Sequence, residues 1–398
     1  MGQSIEQYLE RLESSREDLG KANGRIEAII ELKRTGYSRN AIKNRIQGSA
    51  LVNDFLLEVS EARMRCISRY SMWRGLWLDS YSAMYATPEM VGKYRAGRLK
   101  GYEVVDIGCG AGLQAIMFSM VNTTTGIEPD AIRYRLARLN RMVYGAENLH
   151  LVNGRFPDVN RTVDVHSGSV VFSDPLRPHR SSIAKLSELL PDPEAIVNKL
   201  SGKTEHFVFD LPPMMSIQNF PFPGELEYIS TNGSVSRLTY YSSSISDVKR
   251  RAVILPDMKV ISGDPENVNL KVADAPGDLI LLPDQSVIRA GLLSRVTGIE
   301  NLALVQKDGR RMVLTGKDID GKSFPGEIYQ VAGQCTRPDL VAKLKSLYAG
   351  KVFFRFPIQT EAYYELKNQI ERELNGELEY YIFKREEELI ITRRLRKM

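Results

Sequence analysis

Two short stretches of this 398-residue chain carry residue types at spacings suited to ligand chemistry. The first is Val104-Val105-Asp106-Ile107-Gly108-Cys109-Gly110-Ala111-Gly112, followed by an apolar run from Leu113 to Met120. Val104, Val105 and Ile107 read as a short buried strand. The glycines permit a tight turn into a helix whose start offers unpaired N–H groups and a positive dipole end, so the turn is expected to hold something anionic. A second carboxylate, Glu128, stands with Pro129 at the end of the next apolar run. The second stretch is Val170-Val171-Phe172-Ser173-Asp174-Pro175-Leu176-Arg177, an apolar strand ending in Asp-Pro.

Spacing narrows the ligand of the first stretch. A dinucleotide fingerprint, G-x-G-x-x-G, needs its third glycine at position 113, which is Leu, and no Gly-Lys-Ser/Thr follows to make a phosphate-binding loop. The remaining pattern, D-x-G-x-G-x-G with a later acid, resembles motif I of the class I S-adenosylmethionine-dependent methyltransferases. That resemblance implies S-adenosyl-L-methionine as cofactor, held by Asp106, Gly108, Cys109, Gly110, Gly112, Glu128 and Pro129. The glycine turn would admit the methionine portion, and Glu128 would take the two ribose hydroxyls. After the third strand, the amide oxygen of Asn153 can accept a hydrogen bond from the adenine amine, and Phe156 can pack on its ring.

The Asp-Pro stretch resembles the Asp/Asn/Ser-Pro-Pro-aromatic site of class I amino methyltransferases, where the polar side chain accepts a hydrogen bond from the amine to be methylated. Methyl transfer from a sulfonium is an in-line displacement, so alignment and acceptance of developing positive charge are the main tasks. By this likeness Asp174 and Pro175 form the acceptor site. The chain departs from the pattern at Leu176 and Arg177, so stacking must come from a guanidinium or from elsewhere, and Arg177 would lie beside the base or its phosphate. The alternative is that Asp174 only caps a turn before Pro175.

Two further resemblances point to RNA. Thr87-Pro88-Glu89, Asn140 and Val143-Tyr144-Gly145 are similar to segments of the trimethylguanosine synthase type of RNA guanine-N2 methyltransferases. Pro283-Asp284, with Ile288-Arg289-Ala290-Gly291, resembles the signature of a THUMP-like C-terminal domain attached to class I methyltransferases of bacteria and archaea. The same family matches Tyr94-Arg95-Ala96, Asp174 to Arg177, and Ser230 to Val235. The likeness implies methylation of a base nitrogen in tRNA or rRNA, with Arg289, Lys343, Lys345, Lys351 and Arg355 as phosphate contacts. The alternatives are a packing domain that binds no nucleic acid, a protein or small-molecule methyltransferase, and a non-catalytic RNA-binding protein.

The elements that must position these residues follow from periodicity. Residues 1 to about 75 read as helices, with breaks at Gly20 and Gly36-Tyr37-Ser38 and Ser38 as an N-cap. Lys33, Arg34, Arg39, Lys43 and Arg45 there form either a solvated face or a phosphate-contacting arm. Trp73, Trp77, Tyr81 and Tyr85, four apart, read as core packing. Strands are expected near Val104–Ile107, Thr124–Ile127, Leu149–Val152, Ser169–Phe172 and Phe207–Phe209, closed by a hairpin of Leu226–Ser230 and Val235–Tyr241 turning at Asn232-Gly233. The fold class is therefore α/β: a Rossmann-like seven-strand methyltransferase core at 85–260, an N-terminal helical domain at 1–84, and a THUMP-like α+β domain at 265–398, after a break at Pro256 to Pro276. In that last part Val352–Pro357 reads as a strand, Glu361–Leu374 as a helix, and Leu378–Phe383 with Glu388–Thr392 as a hairpin.

Composition sets the broad class. A 43% hydrophobic content without an apolar run near eighteen residues describes a globular protein with no membrane span, and a net charge of +5 permits a nucleic-acid partner without requiring one. Cys66, Cys109 and Cys335 stand singly, the four histidines lack ligand spacing, and the start lacks a basic, apolar leader. The expectation is a cytoplasmic protein without a metal site, its oligomeric state open.

Overall fold

A computed structural model describes residues 4–158, 163–176, 186–215, 220–308, 311–317, 319, 321 and 323–395. The chain forms two compact units, residues 1–225 with 238–247, and residues 226–237 with 248–398.

In the first unit, local caps set the helices. Ser4 and Gln7 form a capping box before α1 (Ile5–Ser14), and Ser15 caps α2 (Arg16–Arg34). The expected break at Gly20 is corrected: Gly20 lies inside α2, because the Ser15 cap starts a new helix earlier and one interior glycine costs only about 1 kcal/mol. Ser38 caps α3 (Arg39–Lys43) as expected, and Ser49 caps α4 (Ala50–Arg65). The basic side chains there meet acids of α4, Lys33 and Arg39 both pairing with Glu61 at 2.7 Å and Lys43 with Asp54. After α4 come α5 (Ser80–Tyr85) and α6 (Glu89–Arg98).

Strands β1 (Glu103–Ile107), β2 (Thr124–Glu128), β3 (Leu149–Asn153), β4 (Ser169–Ser173) and β5 (His206–Leu211) alternate with α7 (Leu113–Ser119), α8 (Ala131–Tyr144) and α9 (Pro193–Leu200). Their order is β3-β2-β1-β4-β5, all parallel, with the second half of a later strand antiparallel to β5 (Val208↔Tyr241, Leu211↔Leu238). This order reverses at β1 and β4, where an open parallel sheet leaves a crevice at its strand ends. The N-terminal helices share one apolar cluster with the core: Leu9, Leu12, Ile26 and Leu56 belong to the same buried group as Ile116, Leu136 and Leu139. The helical segment expected as a domain of its own is thus continuous with the core in packing. Buried Asn140 on α8 ties the two together, its amide bonding Trp77 N–H, Trp77 C=O and Ala111 C=O at 2.8, 2.9 and 2.9 Å.

The expected hairpin is formed by β6 (Gly224–Thr231) and β7 (Ser234–Ser242), of which residues 226–237 belong to the second unit, with Asn232 and Gly233 both at positive φ as its turn demands. β7 continues past Arg237 as the strand that pairs with β5. β8 (Arg250–Leu255) and β9 (Lys259–Gly263), which the sequence reading left out, pair with β6 and with each other. The remainder has β10 (Leu279–Pro283), α10 (Gln285–Ala290), β11 (Leu302–Asp308), β12 (Arg311–Gly316), β13 (Gly326–Cys335), α11 (Leu340–Ser346), β14 (Ala349–Phe354), α12 (Thr360–Glu371), β15 (Leu378–Arg385) and β16 (Glu388–Arg394). The sheet order is β11-β12-β10-β13-β16-β15-β14, antiparallel except for β14 beside β15. Asp284 caps α10 and Gly291 ends it at φ +70°. Among the described residues no helix is long and apolar enough to cross a membrane.

Candidate active site

The glycines of the turn after β1 do different jobs. Gly108, Gly110 and Gly112 have φ of +82°, +58° and +79°, a region that disfavours any residue with a Cβ. A Cβ on Gly110 would meet nothing, whereas one on Gly112 would stand 2.9 Å from the Ala137 Cβ, so Gly112 also lets α7 and α8 approach. The loop is tied back to its neighbours. Gly108 and Cys109 donate to the Ile127 carbonyl at 2.8 and 3.0 Å, Gly112 donates to the Cys109 carbonyl, and Gly110 donates to Glu128 Oε2 at 2.7 Å. These four loop donors are thus occupied within the protein, which leaves the start of α7 as the part of the turn open to the expected anion.

Glu128 is fixed at the end of β2 by two donors, Gly110 and Asp130, the latter giving its N–H to Oε1 at 2.9 Å. Burial lifts its carboxyl above the usual range, and the two N–H groups only partly offset this. Asp106, 2% exposed, is pushed well above that range by burial and by the charges of Asp174 and Glu128, and its Oδ2 has no protein partner. Burial and the same neighbouring acids, Asp106 and Glu128, also raise the Cys109 thiol.

These groups line a cavity of about 560 Å³, a size ordinary for a small-molecule site. Asp106, Gly108, Cys109, Gly110, Glu128, Pro129, Phe156 and Asp174 all face it. Gly112 stands behind it as the N-cap of α7, and Pro175 is buried beside Asp174 without lining it. Asn153 is exposed and outside the lining, its amide donating to the Glu128 carbonyl at 2.9 Å. Arg177 lies outside the described residues. The end of β4 is pinned by Ser173, whose hydroxyl donates to the Ile107 carbonyl at 2.8 Å. Beyond Asp174, Leu176 and Leu190 exchange backbone hydrogen bonds at 2.7 and 3.0 Å and present two exposed apolar side chains at the cavity.

Other lining residues escaped the sequence reading. Trp73 and Trp77 are core as expected, but Tyr81 and Tyr85 on α5 face the cavity, their rings 4.6 Å apart. Arg133, paired with Asp79 at 3.2 Å, covers the Tyr81 ring at 4.5 Å. Burial raises the Tyr81 hydroxyl, with the Asp174 charge adding to the effect. Gln114 on α7 and Arg155 also line the space. Behind them Arg95, fully buried, donates to Asp210 at 2.7 Å, Thr239 at 3.1 Å and Gln114 Oε1 at 2.8 Å, with its guanidinium over the Phe172 ring. Burial acts to discharge Arg95, and the Asp210 carboxylate together with Tyr241 and Asp174 more than reverses that, so it stays charged. The sequence signal for this residue was the Tyr94-Arg95-Ala96 match.

No protein-family model and no curated protein sequence matches the chain. Solved structures do. A provisionally assigned methyltransferase from Porphyromonas gingivalis W83 is similar over 93% of this chain and 98% of its own, with a TM-score of 0.71 and 17% identity. An RNA methyltransferase from Salinibacter ruber, in complex with S-adenosyl-L-homocysteine, matches 39% of this chain and 91% of its own (TM-score 0.28, 16% identity). A precorrin-6Y C5,15-methyltransferase from Geobacter metallireducens GS-15 matches 39% of this chain and 90% of its own (TM-score 0.29, 15% identity). The first likeness, spanning nearly all of both chains, establishes the fold as the mixed α/β, Rossmann-like fold of that methyltransferase structure.

Proposed function

We propose that this chain is an S-adenosyl-L-methionine-dependent methyltransferase acting on a base nitrogen of RNA. The observation that carries the reading is the cavity wall at the ends of β1, β2 and β4. There Asp106, Glu128 and Asp174 converge on one space beside two positive-φ glycines, Gly108 and Gly110, that leave room for a ligand. A wall of carboxylates suits a cationic ligand, and a sulfonium nucleoside is a cation. The residues fit it in detail: Glu128, oriented by two backbone N–H groups, keeps lone pairs for a ribose diol, and the orphaned Asp106 Oδ2 accepts from an ammonium. Phe156 offers an apolar face to adenine.

When bound, the cofactor supplies an electrophilic methyl group. The chain's own part is positional. Asp174 accepts a hydrogen bond from the acceptor amine, aligning its lone pair and taking up positive charge as it develops. Tyr81 and Tyr85, their rings tilted 45° to each other, bring to the cavity the aromatic side chains that Leu176 lacks, and a nucleobase is an acceptor that can stack on such a ring. The THUMP-like string of the second unit supports RNA over a protein as the acceptor.

Calorimetry with S-adenosyl-L-homocysteine, followed by labelled methyl transfer to total RNA with nucleoside mass spectrometry, tests both halves. Binding is expected, and Glu128→Ala should weaken it by about 1.5–3 kcal/mol, the range for hydrogen bonds to a charged group. Absence of binding removes the cofactor assignment. Binding with label passing only to protein or to metabolites removes the RNA assignment and keeps the cofactor.

A further inference from the structure

The cavity wall holds two deeply buried polar atoms that the protein leaves unpartnered, Asp106 Oδ2 and Gln114 Nε2. Gln114 is 9% exposed, on the first turn of α7. Its amide has a determined orientation. Arg95 carries only donors, so the atom facing it at 2.8 Å must be the carbonyl oxygen, and the NH2 group is the one turned away from Arg95. Arg95 cannot yield, because Asp210 and Thr239 hold its other nitrogen and the Phe172 ring lies under it. A buried amide donor without a partner carries a desolvation cost that a ligand acceptor removes. Asp106, in the same lining, presents an acceptor.

One donor and one acceptor on the wall of the same cavity match a zwitterion. We propose that Gln114 is a specificity-determining residue that donates its amide N–H to the carboxylate of the ligand's amino-acid end, while Asp106 accepts from the ammonium. Arg95 is a positioning residue that sets the Gln114 amide. This rests on the cofactor reading above and goes beyond it by naming which side chain reads the carboxylate. The diol and adenine contacts do not touch Gln114, so its loss penalises only ligands that possess the amino-acid end.

The test compares S-adenosyl-L-homocysteine with 5′-methylthioadenosine, the same thionucleoside without the amino-acid end, by calorimetry on the full chain. Gln114→Met removes the donor at similar volume. Gln114→Glu keeps an acceptor for Arg95 but turns an oxygen toward the ligand carboxylate. Both variants are expected to lose tenfold or more in affinity for S-adenosyl-L-homocysteine while 5′-methylthioadenosine binding stays within twofold, and Gln114→Glu should lose more. Arg95→Lys, which cannot span Asp210 and Gln114 together, should show the same selective loss. Equal weakening for both ligands, or no change for either, overturns the inference and leaves the cofactor reading standing. A wild-type chain that binds neither ligand overturns both.

Discussion

The two units can be compared by where their unmatched buried polar atoms lie. In the second unit several buried polar side chains are satisfied within the protein, while the buried Ser294 Oγ and Arg355 Nε are not. Asp284 accepts from the Ser286 N–H and hydroxyl, Thr315 bridges the Leu279 carbonyl and the Gly277 N–H, and Thr392 donates to the Tyr381 carbonyl. In the first unit Asp106 and Gln114, as deeply placed, line a cavity with an oxygen and a nitrogen unmatched. An unmatched buried polar atom costs about 1–3 kcal/mol, a cost that a ligand on the cavity wall would relieve. The shared placement of Asp106 and Gln114 on one cavity wall supports the small-molecule site proposed for the first unit.

If the chemistry belongs to that wall, the largest loss should come from the residue that meets the acceptor. Asp174→Ala is expected to lower methyl transfer by about 10²–10³-fold, the range for losing one preorganised group that stabilises charge in the transition state. S-adenosyl-L-homocysteine affinity should stay within a few-fold, because Asp174 lies at the end of β4 and the diol is assigned to Glu128 on β2. Transfer measured with labelled cofactor decides it, and undiminished turnover would take the acceptor role from Asp174.

Next in size is a contrast within the glycine turn. Gly112→Ala faces both a positive φ and the Ala137 Cβ at 2.9 Å, whereas Gly110→Ala faces the φ alone. Backbone strain of about 1–2 kcal/mol applies to both, and overpacking adds about 1–3 kcal/mol at Gly112 only. Urea unfolding should therefore show Gly112→Ala as clearly the less stable variant. Equal loss would mean that α8 shifts freely and that the turn is not shaped by its contact with Ala137.

What the sequence disclosed and concealed divides along chain separation. The Gly108–Gly112 turn, Glu128, Asp174 and the Asn232-Gly233 hairpin are local patterns, and the structure brings the first three to one cavity. Arg95 meets Asp210 and Thr239 across 115 and 144 residues, a juxtaposition that only the folded sheet creates. Tyr81 and Tyr85 were read as core because spacing by four reports a shared helix face and not what that face meets. Asn153 looked like an adenine partner because its position after β3 was right, but its side chain turns to the Glu128 carbonyl. β8 and β9 lie in and beside a stretch whose Asp, Pro and Gly content reads as a break, and tertiary pairing overrides it.

A smaller effect, in protons, sharpens the contrast further. The Asp106 carboxyl is raised by burial and by the charges of Asp174 and Glu128, against the opposing charge of Arg95. With its folded value above the unfolded one, neutral Asp106 contributes stability fully below the ordinary carboxylate range, and that contribution is lost as pH rises through the raised value. A bound ammonium reverses the bias and favours the ionised form. Binding of S-adenosyl-L-homocysteine should then release a fraction of a proton and tighten as pH rises toward the raised value. Calorimetry in buffers of different ionisation enthalpy reads the release, and Asp106→Asn should abolish it. A wild-type enthalpy independent of buffer would show that no cation sits at Asp106.

The smallest effect is expected where the second unit carries its basic residues. Lys345, Lys351 and Arg355 sit 3.3, 3.8 and 3.3 Å from Glu373, Glu379 and Glu327, so the charge that a phosphate would meet is already partly neutralised. An RNA phosphate contact contributes about 0.7–0.9 to the slope of log affinity against log salt, and an exposed ion pair only about 0–1 kcal/mol to stability. Lys345→Gln and Lys351→Gln are therefore expected to leave both the salt slope of RNA binding and the urea midpoint nearly unchanged. A slope that falls by close to one unit for either variant would show that RNA draws the lysine away from its glutamate. The second unit would then be an RNA-guiding module and not packing alone, and the contrast between the units would be one of ligand size.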